Sequence, residues 1–338
     1  MILSTLHVDL GREWRGGQNQ ALLLACELRR MGHAAELVAI AGGPLAERAR
    51  KAGIPVYEVA GRFQAALLLR RLGRFDVVHC HEAHGLTAAW CAGVQRRTVL
   101  VVSRRVAYPI SRLRYRSAKR IIAVSRFVKE SVLACGFPDE QVEVIYDGVV
   151  IPGTAAVGGG RLRLGCVGWL LPEKNQELLI RALPAVLAQY PGCRLMLAGD
   201  GHSRPGLEQL AASLGVTASV QFLGMVDDVA AVYRALDVFL FPSLAEPLGS
   251  SLLAAMAYGL PCVALARGAV PEVIEDGRNG LLVDSPDPEA FADAVLRLLD
   301  DASFAARLGA AARQTVEERF SVARMAHETV ELYRRVGR

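Results

Sequence analysis

The chain reads as two α/β domains, each a doubly wound, Rossmann-like parallel sheet. Three observations predict this. Short apolar runs of strand length alternate with longer amphipathic runs of helical period along the whole sequence, the pattern of parallel sheets covered by helices. At 338 residues the chain is longer than one core usually organises. The alternation is interrupted once, at Val149-Val150-Ile151-Pro152-Gly153-Thr154-Ala155-Ala156-Val157-Gly158-Gly159-Gly160, where proline, small residues and three consecutive glycines favour a linker. The expected division is a first domain over 1–152, a linker over 153–160, a second domain over 161–325, and a terminal helix over 326–338 packing back toward the first domain.

In the first half, strands are expected at Leu3–Val8, Ala35–Ala39, Val56–Val59, Val77–Cys80, Thr98–Ser103, Arg120–Val124 and Val142–Ile145. Each is a bounded run rich in β-branched and aliphatic residues. Helices fall between them, as at Gly17–Met31, where Leu22, Leu23, Cys26 and Arg30 recur at helical spacing. The second half restarts with a strand at Arg163–Val167 and a helix from about Asn175 to Tyr190. Strands follow at Arg194–Ala198, Val220–Phe222, Val238–Phe241, Cys262–Ala264 and Gly280–Val283, and the tail from Pro288 is helical. In such sheets ligands bind at the carboxyl ends of the strands, so a cleft between the domains is the expected ligand site.

Composition narrows the class. Hydrophobic residues at 52% against 22% charged exclude a mainly disordered chain. No apolar run approaches the ~18 residues of a membrane span. The start, Ile2-Leu3-Ser4-Thr5-Leu6-His7-Val8, reads as a first strand and lacks the basic flank and cleavage site of a signal peptide. A cytoplasmic protein, able to sit peripherally on the inner face of the membrane, is expected. The seven cysteines form no C-x-x-C pair and are expected to be reduced.

Charge is unevenly spread. Residues 1–150 carry 22 Lys and Arg against 13 Asp and Glu, whereas the remainder carries 17 against 21. Arg104, Arg105, Arg112, Arg114, Arg116, Lys119 and Arg120 concentrate the excess. Such a run is either a solvated face or a docking surface for a phosphorylated or membrane-borne acceptor. Nucleic acid fits less well, since the nearby aromatics, Tyr108 and Tyr115, form no stacking series.

Two segments carry chemistry. After the strand ending at Phe241, a loop bears Glu246, and Gly249-Ser250-Ser251 open a short apolar helix. Free backbone N–H groups and the dipole there favour a phosphate, and a neighbouring carboxylate can accept hydrogen bonds from sugar hydroxyls. A loop acid capping the helix is the plainer alternative. In His79-Cys80-His81, strand alternation sends the two histidines to one face and Cys80 to the other. A metal site joining all three is therefore awkward. His79 reads as a buried structural residue, and His81, at the strand end, as the functional one, able to hold or pass a proton with His84 in support. No Asp-x-Asp occurs to carry a divalent ion.

These segments, together with Gly16-Gly17-Gln18, Val144-Ile145-Tyr146-Asp147-Gly148, Val167-Gly168-Trp169-Leu170-Leu171-Pro172-Glu173-Lys174-Asn175, Leu197-Ala198-Gly199-Asp200-Gly201 and the stretch from Pro271 to Val283, resemble the retaining GT-B glycosyltransferases of family 4 in order and spacing. The resemblance implies a transferase that takes a sugar from a nucleotide-diphosphate donor with no cofactor and no metal, and a glycan, glycolipid or lipopolysaccharide-type acceptor. Lys174 matches the family's diphosphate-binding lysine and Glu246 the first acid of its E-x7-E motif. Gly16 and Gly17 match the glycine loop near the donor phosphates, and His81 matches the histidine that faces the donor sugar. Gly168, Leu248, Gly249, Ser250 and Ser251 complete the implied donor set. Two positions depart from the pattern: Trp169 stands where an arginine is usual, and Ala254 where the second acid, which grips the ribose, would fall. These departures keep open a catalytically degenerate scaffold that binds a nucleotide sugar without turning it over.

Overall fold

The computed structural model describes residues 2–154 and 162–337, so the expected linker lies outside the described residues from position 155 to its end. The chain forms two compact units, Met1–Gly148 with Ser321–Arg338, and Val149–Phe320. The return to the first unit comes at Ser321, earlier than the expected boundary after 325. The reason is packing. The whole helix Val322–Val336 belongs to the first unit, burying Met325, Ala326, Val330, Tyr333 and Val336 in one core with Leu24 and Leu28.

The first unit is a seven-stranded sheet of β1 (Ser4–Val8), β2 (Ala34–Ile40), β3 (Val56–Val59), β4 (Val77–Cys80), β5 (Val99–Arg104), β6 (Arg120–Ala123) and β7 (Val142–Val144). The order is β3-β2-β1-β4-β5-β6-β7, and every pairing is parallel. The second unit is a six-stranded sheet of β8 (Arg163–Val167), β9 (Arg194–Ala198), β10 (Val220–Gly224), β11 (Val238–Phe241), β12 (Cys262–Leu265) and β13 (Leu281–Val283). Its order is β10-β9-β8-β11-β12-β13, again all parallel. Both sheets are covered by helices and their central strands are buried at nearly every position, as crossover connections require. Each sheet reverses direction of growth once, between β1 and β4 and between β8 and β11, which places a crevice at the carboxyl ends of those strands.

Every strand begins and ends within two residues of its expected position. One helix face differs. Helix Gly16–Arg30 buries Ala21, Leu24, Ala25 and Leu28, and leaves Leu22, Leu23 and Cys26 only half-buried. The apolar run there is wide enough to satisfy two faces. Gln20 decides between them, exchanging hydrogen bonds with the backbone of Gly148 (Nε2 to O 2.9 Å, and Oε1 from N 3.2 Å).

Candidate functional site

In the second unit the site gathers at the reversal between β8 and β11. After β8 the chain passes Gly168 and Trp169 into a single turn of 3-10 helix, Pro172–Lys174, from which helix Gln176–Gln189 departs. After β11 comes the loop carrying Glu246. The two loops are stitched together: Leu244 N–H donates to Glu173 O (2.9 Å) and Asn175 Nδ2 to Pro242 O (3.3 Å). The stitching brings Lys174 Nζ to 2.6 Å from Glu246 Oε2, with Ser243 Oγ at 3.1 Å from the same oxygen.

Sequence reasoning gave the lysine and the acid separate partners and did not foresee this pair. The two residues lie 72 positions apart, and only the parallel neighbourhood of β8 and β11 makes them adjacent. Their exposure is unequal, with the Glu246 side chain 9% exposed and that of Lys174 28%. The carboxylate is therefore fixed, while the ammonium retains access to water and to an anion.

The next turn presents the anion-binding feature. Helix Ser250–Ala257 starts from Gly249, whose φ is +99°, and no side chain caps its first N–H groups. Ser250 is exposed and Ser251 half-buried, whereas the Leu248 side chain is buried, so Leu248 has only its backbone to offer a ligand. Ala254, one turn along, is half-buried. Beside Gly168, the ends of β8 and β9 and the turn after β10 form a shallow apolar pocket of about 120 Å³ bordered by Trp169, Gly199, Met225, Val226 and Val229.

In the first unit the equivalent reversal holds three histidines. His79 and His81 stack on one face of the sheet with ring centroids 4.2 Å apart. The strand register sets His7 opposite His79, and the His7 ring lies 5.2 Å from that of His81. All three are buried. Burial, reinforced by the Arg105 guanidinium, holds the His7 pKa down to about 3. Burial first, then neighbouring imidazoles and Arg105, keeps His79 and His81 well below the usual imidazole range, so all three are neutral.

His79 takes the structural part: its Nδ1 meets Tyr333 Oη at 2.6 Å and its Nε2 meets Ser103 Oγ at 2.8 Å. His81 touches Arg105, with Nη1 3.4 Å from Nδ1, and Arg105 is anchored by Asp147, Nε lying 3.0 Å from both carboxylate oxygens. His84 stands exposed on helix Ala83–Cys91. Among the described residues the three histidines are the group spaced closely enough to consider for a metal. The missed member, His7, had a usable signal, since β1 and β4 are neighbours in any sheet with this order of strands.

Two further expectations need correction. Arg105 is half-buried and not part of an open basic face; its side chain is 13% exposed and paired with Asp147 beside His81. Arg104 is half-buried, donating to Tyr108 O and lying over the Tyr115 ring. Arg112 and Arg116 are exposed as expected. Gly16 and Gly17 form the first turn of helix Gly16–Arg30 and not a loop. A Cβ at Gly17 would meet only Arg105 Cδ, at 3.9 Å, so no protein atom requires glycine there.

Residues 14–151 match Glycosyltransferase Family 4, and residues 161–301 match Glycosyl transferases group 1. The D-inositol 3-phosphate glycosyltransferase of Acidothermus cellulolyticus is 31% identical over 77% of this chain and 68% of its own length. The chain belongs to glycosyltransferase family 4. An uncharacterized glycosyltransferase of Methanocaldococcus jannaschii is 28% identical over 92% of both proteins. The fold of this glycosyltransferase is GT-B: it matches the crystal structure of Anabaena Alr3699/HepE in complex with UDP-glucose with a TM-score of 0.85, over 98% of this chain and 99% of that one, at 22% identity. No helix among the described residues is long and apolar enough to cross a membrane.

Proposed function

We propose that this glycosyltransferase moves a sugar, with retention of anomeric configuration and without a bound metal, from a nucleotide-diphosphate donor to an anionic glycan, cell-envelope or lipopolysaccharide-type acceptor. The observation that carries the reading is the Lys174–Glu246 contact beside the uncapped start of helix Ser250–Ala257. A half-exposed ammonium next to free backbone N–H groups suits a departing diphosphate, which needs charge stabilisation as the glycosidic bond breaks. The buried Glu246 carboxylate suits sugar hydroxyls. The apolar pocket along Trp169 suits the flat face of a nucleobase. In the first unit His81, neutral and beside Arg105, suits a further sugar hydroxyl. Metal independence draws on the same arrangement, in which Lys174 and the helix start supply the positive charge that a divalent ion would otherwise bring.

The test is proton NMR of the first product formed from each of a set of nucleotide sugars, in buffer containing EDTA. The anomeric configuration of the donor is expected in the product. Inversion would refute retention, and activity lost to EDTA and restored by a divalent ion would refute metal independence. Trp169 and Ala254 favour a second reading, a scaffold that binds a nucleotide sugar without turnover. Saturable donor binding with neither transfer nor slow donor hydrolysis across acceptors would establish it.

The acceptor side draws on the exposed part of the basic run. Arg112, Arg116 and Lys119 lie with Tyr108 and Leu113, each of the last two 70% exposed, a mixture suited to an anionic lipid surface. Sedimentation with vesicles containing anionic lipid is expected to pull down the protein at low salt, with release at high salt. Binding should drop about thirtyfold in the double variant Arg112→Gln/Arg116→Gln, at about 1 kcal/mol per basic residue near such a surface. No sedimentation at any salt concentration overturns the membrane reading.

A further inference from the structure

The hydrogen bonds through His7 and His81 run in a single direction, and this determines which nitrogen of His81 carries its proton. Thr5 Oγ1 donates to Ala34 O at 3.0 Å. A hydroxyl has one hydrogen, so toward His7 Nε2, at 3.2 Å, Thr5 acts only as acceptor. His7 Nε2 is therefore protonated. A neutral imidazole carries one proton, which leaves His7 Nδ1 bare, and that nitrogen lies 2.9 Å from His81 Nε2. His81 Nε2 must supply the hydrogen. His81 Nδ1 is then bare in turn, and the group it faces is the Arg105 Nη1 donor at 3.4 Å. The far end of the chain agrees with the near end: a carbonyl that can only accept closes one side, and a guanidinium that can only donate closes the other.

The same directions argue against a shared metal. For His81 Nε2 to ligate an ion its proton would have to move to Nδ1, where it would point at the N–H of Arg105. His79 offers no alternative, because both of its ring nitrogens are engaged by hydroxyls.

We propose that Thr5 and His7 are positioning residues that lock His81 in its Nε2–H tautomer, so that His81 Nδ1 and Arg105 form an acceptor–donor pair for one hydroxyl of the substrate. His81 then serves as a neutral acceptor and not as the proton carrier expected from its strand-end position. The substrate group it recognises must be able to donate, as a hydroxyl does, and a carbonyl or a deoxygenated carbon at that place is rejected. The inference rests on the glycosyl-transfer reading only in giving His81 a sugar hydroxyl to meet; the tautomer is a property of the protein alone.

The experiment is long-range proton–nitrogen correlation NMR of the full chain labelled with 15N-histidine, at neutral pH and without ligand, the His81 signals being identified by their loss in His81→Asn. Wild type is expected to show a pyridine-type Nδ1 and a pyrrole-type Nε2 for His81. Thr5→Val, which removes the acceptor for His7 Nε2, is expected to give a mixture of His81 tautomers and about tenfold lower kcat, roughly the value of one hydrogen bond. Thr5→Ser is expected to restore both. A pyrrole-type Nδ1, a cationic His81, metal-shifted nitrogens, or a Thr5→Val spectrum identical to wild type each overturns the proposal. If Thr5→Val does not fold, the wild-type spectrum still decides the tautomer. The expected spectrum in a protein that transfers no sugar would leave the locked tautomer standing and remove the transferase reading instead.

Discussion

Lys174→Met is expected to lower kcat/KM for the donor by roughly 10²–10³-fold, the usual effect of deleting one charged group that stabilises a leaving group. The same change leaves the Glu246 carboxylate, 9% exposed, with Ser243 Oγ as its remaining close side-chain donor. An uncompensated charge in such a place costs on the order of 1–3 kcal/mol of stability. The two effects separate in a second variant. Lys174→Met combined with Glu246→Gln removes both charges while keeping the shape of the acid, so most of the lost stability is expected to return. Turnover is not expected to return, because the diphosphate still lacks its ammonium. Denaturation midpoints and initial rates on the three proteins check this. Recovery of turnover in the double variant would mean that Lys174 serves only to neutralise Glu246, and the leaving-group role would be lost.

Gly268→Ala is expected to disable the same site without touching a charged group. Gly268 follows β12 with a φ of +60°, and a Cβ there would lie 2.3 Å from Glu246 O and 2.8 Å from Glu246 N. The neighbouring Ala269 N–H holds Glu246 O at 2.9 Å, so the Glu246 loop is clamped against this glycine backbone to backbone and cannot give way cheaply. Left-handed backbone costs a residue with a side chain about 1–2 kcal/mol, and overpacking adds about 1–3 kcal/mol more. The loop is expected to shift outward, breaking the contact with Lys174 and reducing donor-dependent turnover more than tenfold. Gly277→Ala is the control. It has a similar φ of +70° but no atom within 4 Å of the added carbon, so it bears the backbone strain without the collision. Equal losses in thermal stability and turnover for the two variants would put the effect in strain alone and detach it from Glu246.

The members of the candidate site were legible as candidates because the parallel fold puts its strand ends at predictable points of the chain. His81 follows β4, Lys174 lies on the connection leaving β8 and Glu246 on the one leaving β11, and those are the ends where open parallel sheets bind ligands. Residue type then narrows the choice, marking a lysine, an acid and a glycine-led helix start in that setting as candidates for an anionic, hydroxylated ligand. The reading of Arg105 failed for an equally physical reason. Within a run of basic residues nothing in the local sequence distinguishes one that faces water from one that turns inward to a carboxylate 42 positions away.

The sequence alone determined the number of domains, the class of both sheets, the strand positions to within two residues, and which residue types stand at the strand ends. These follow from periodicity and from the obligation of buried backbone to pair, both of which act over a few residues at a time. The tertiary structure decided the partners: Lys174 with Glu246, Arg105 with Asp147, His7 with His81, and the docking of the final helix from Ser321 onward. Each of those depends on which strands lie side by side and on which face of a helix is buried. Local pattern leaves those choices open, and only the closing of the core makes one of them lowest in free energy.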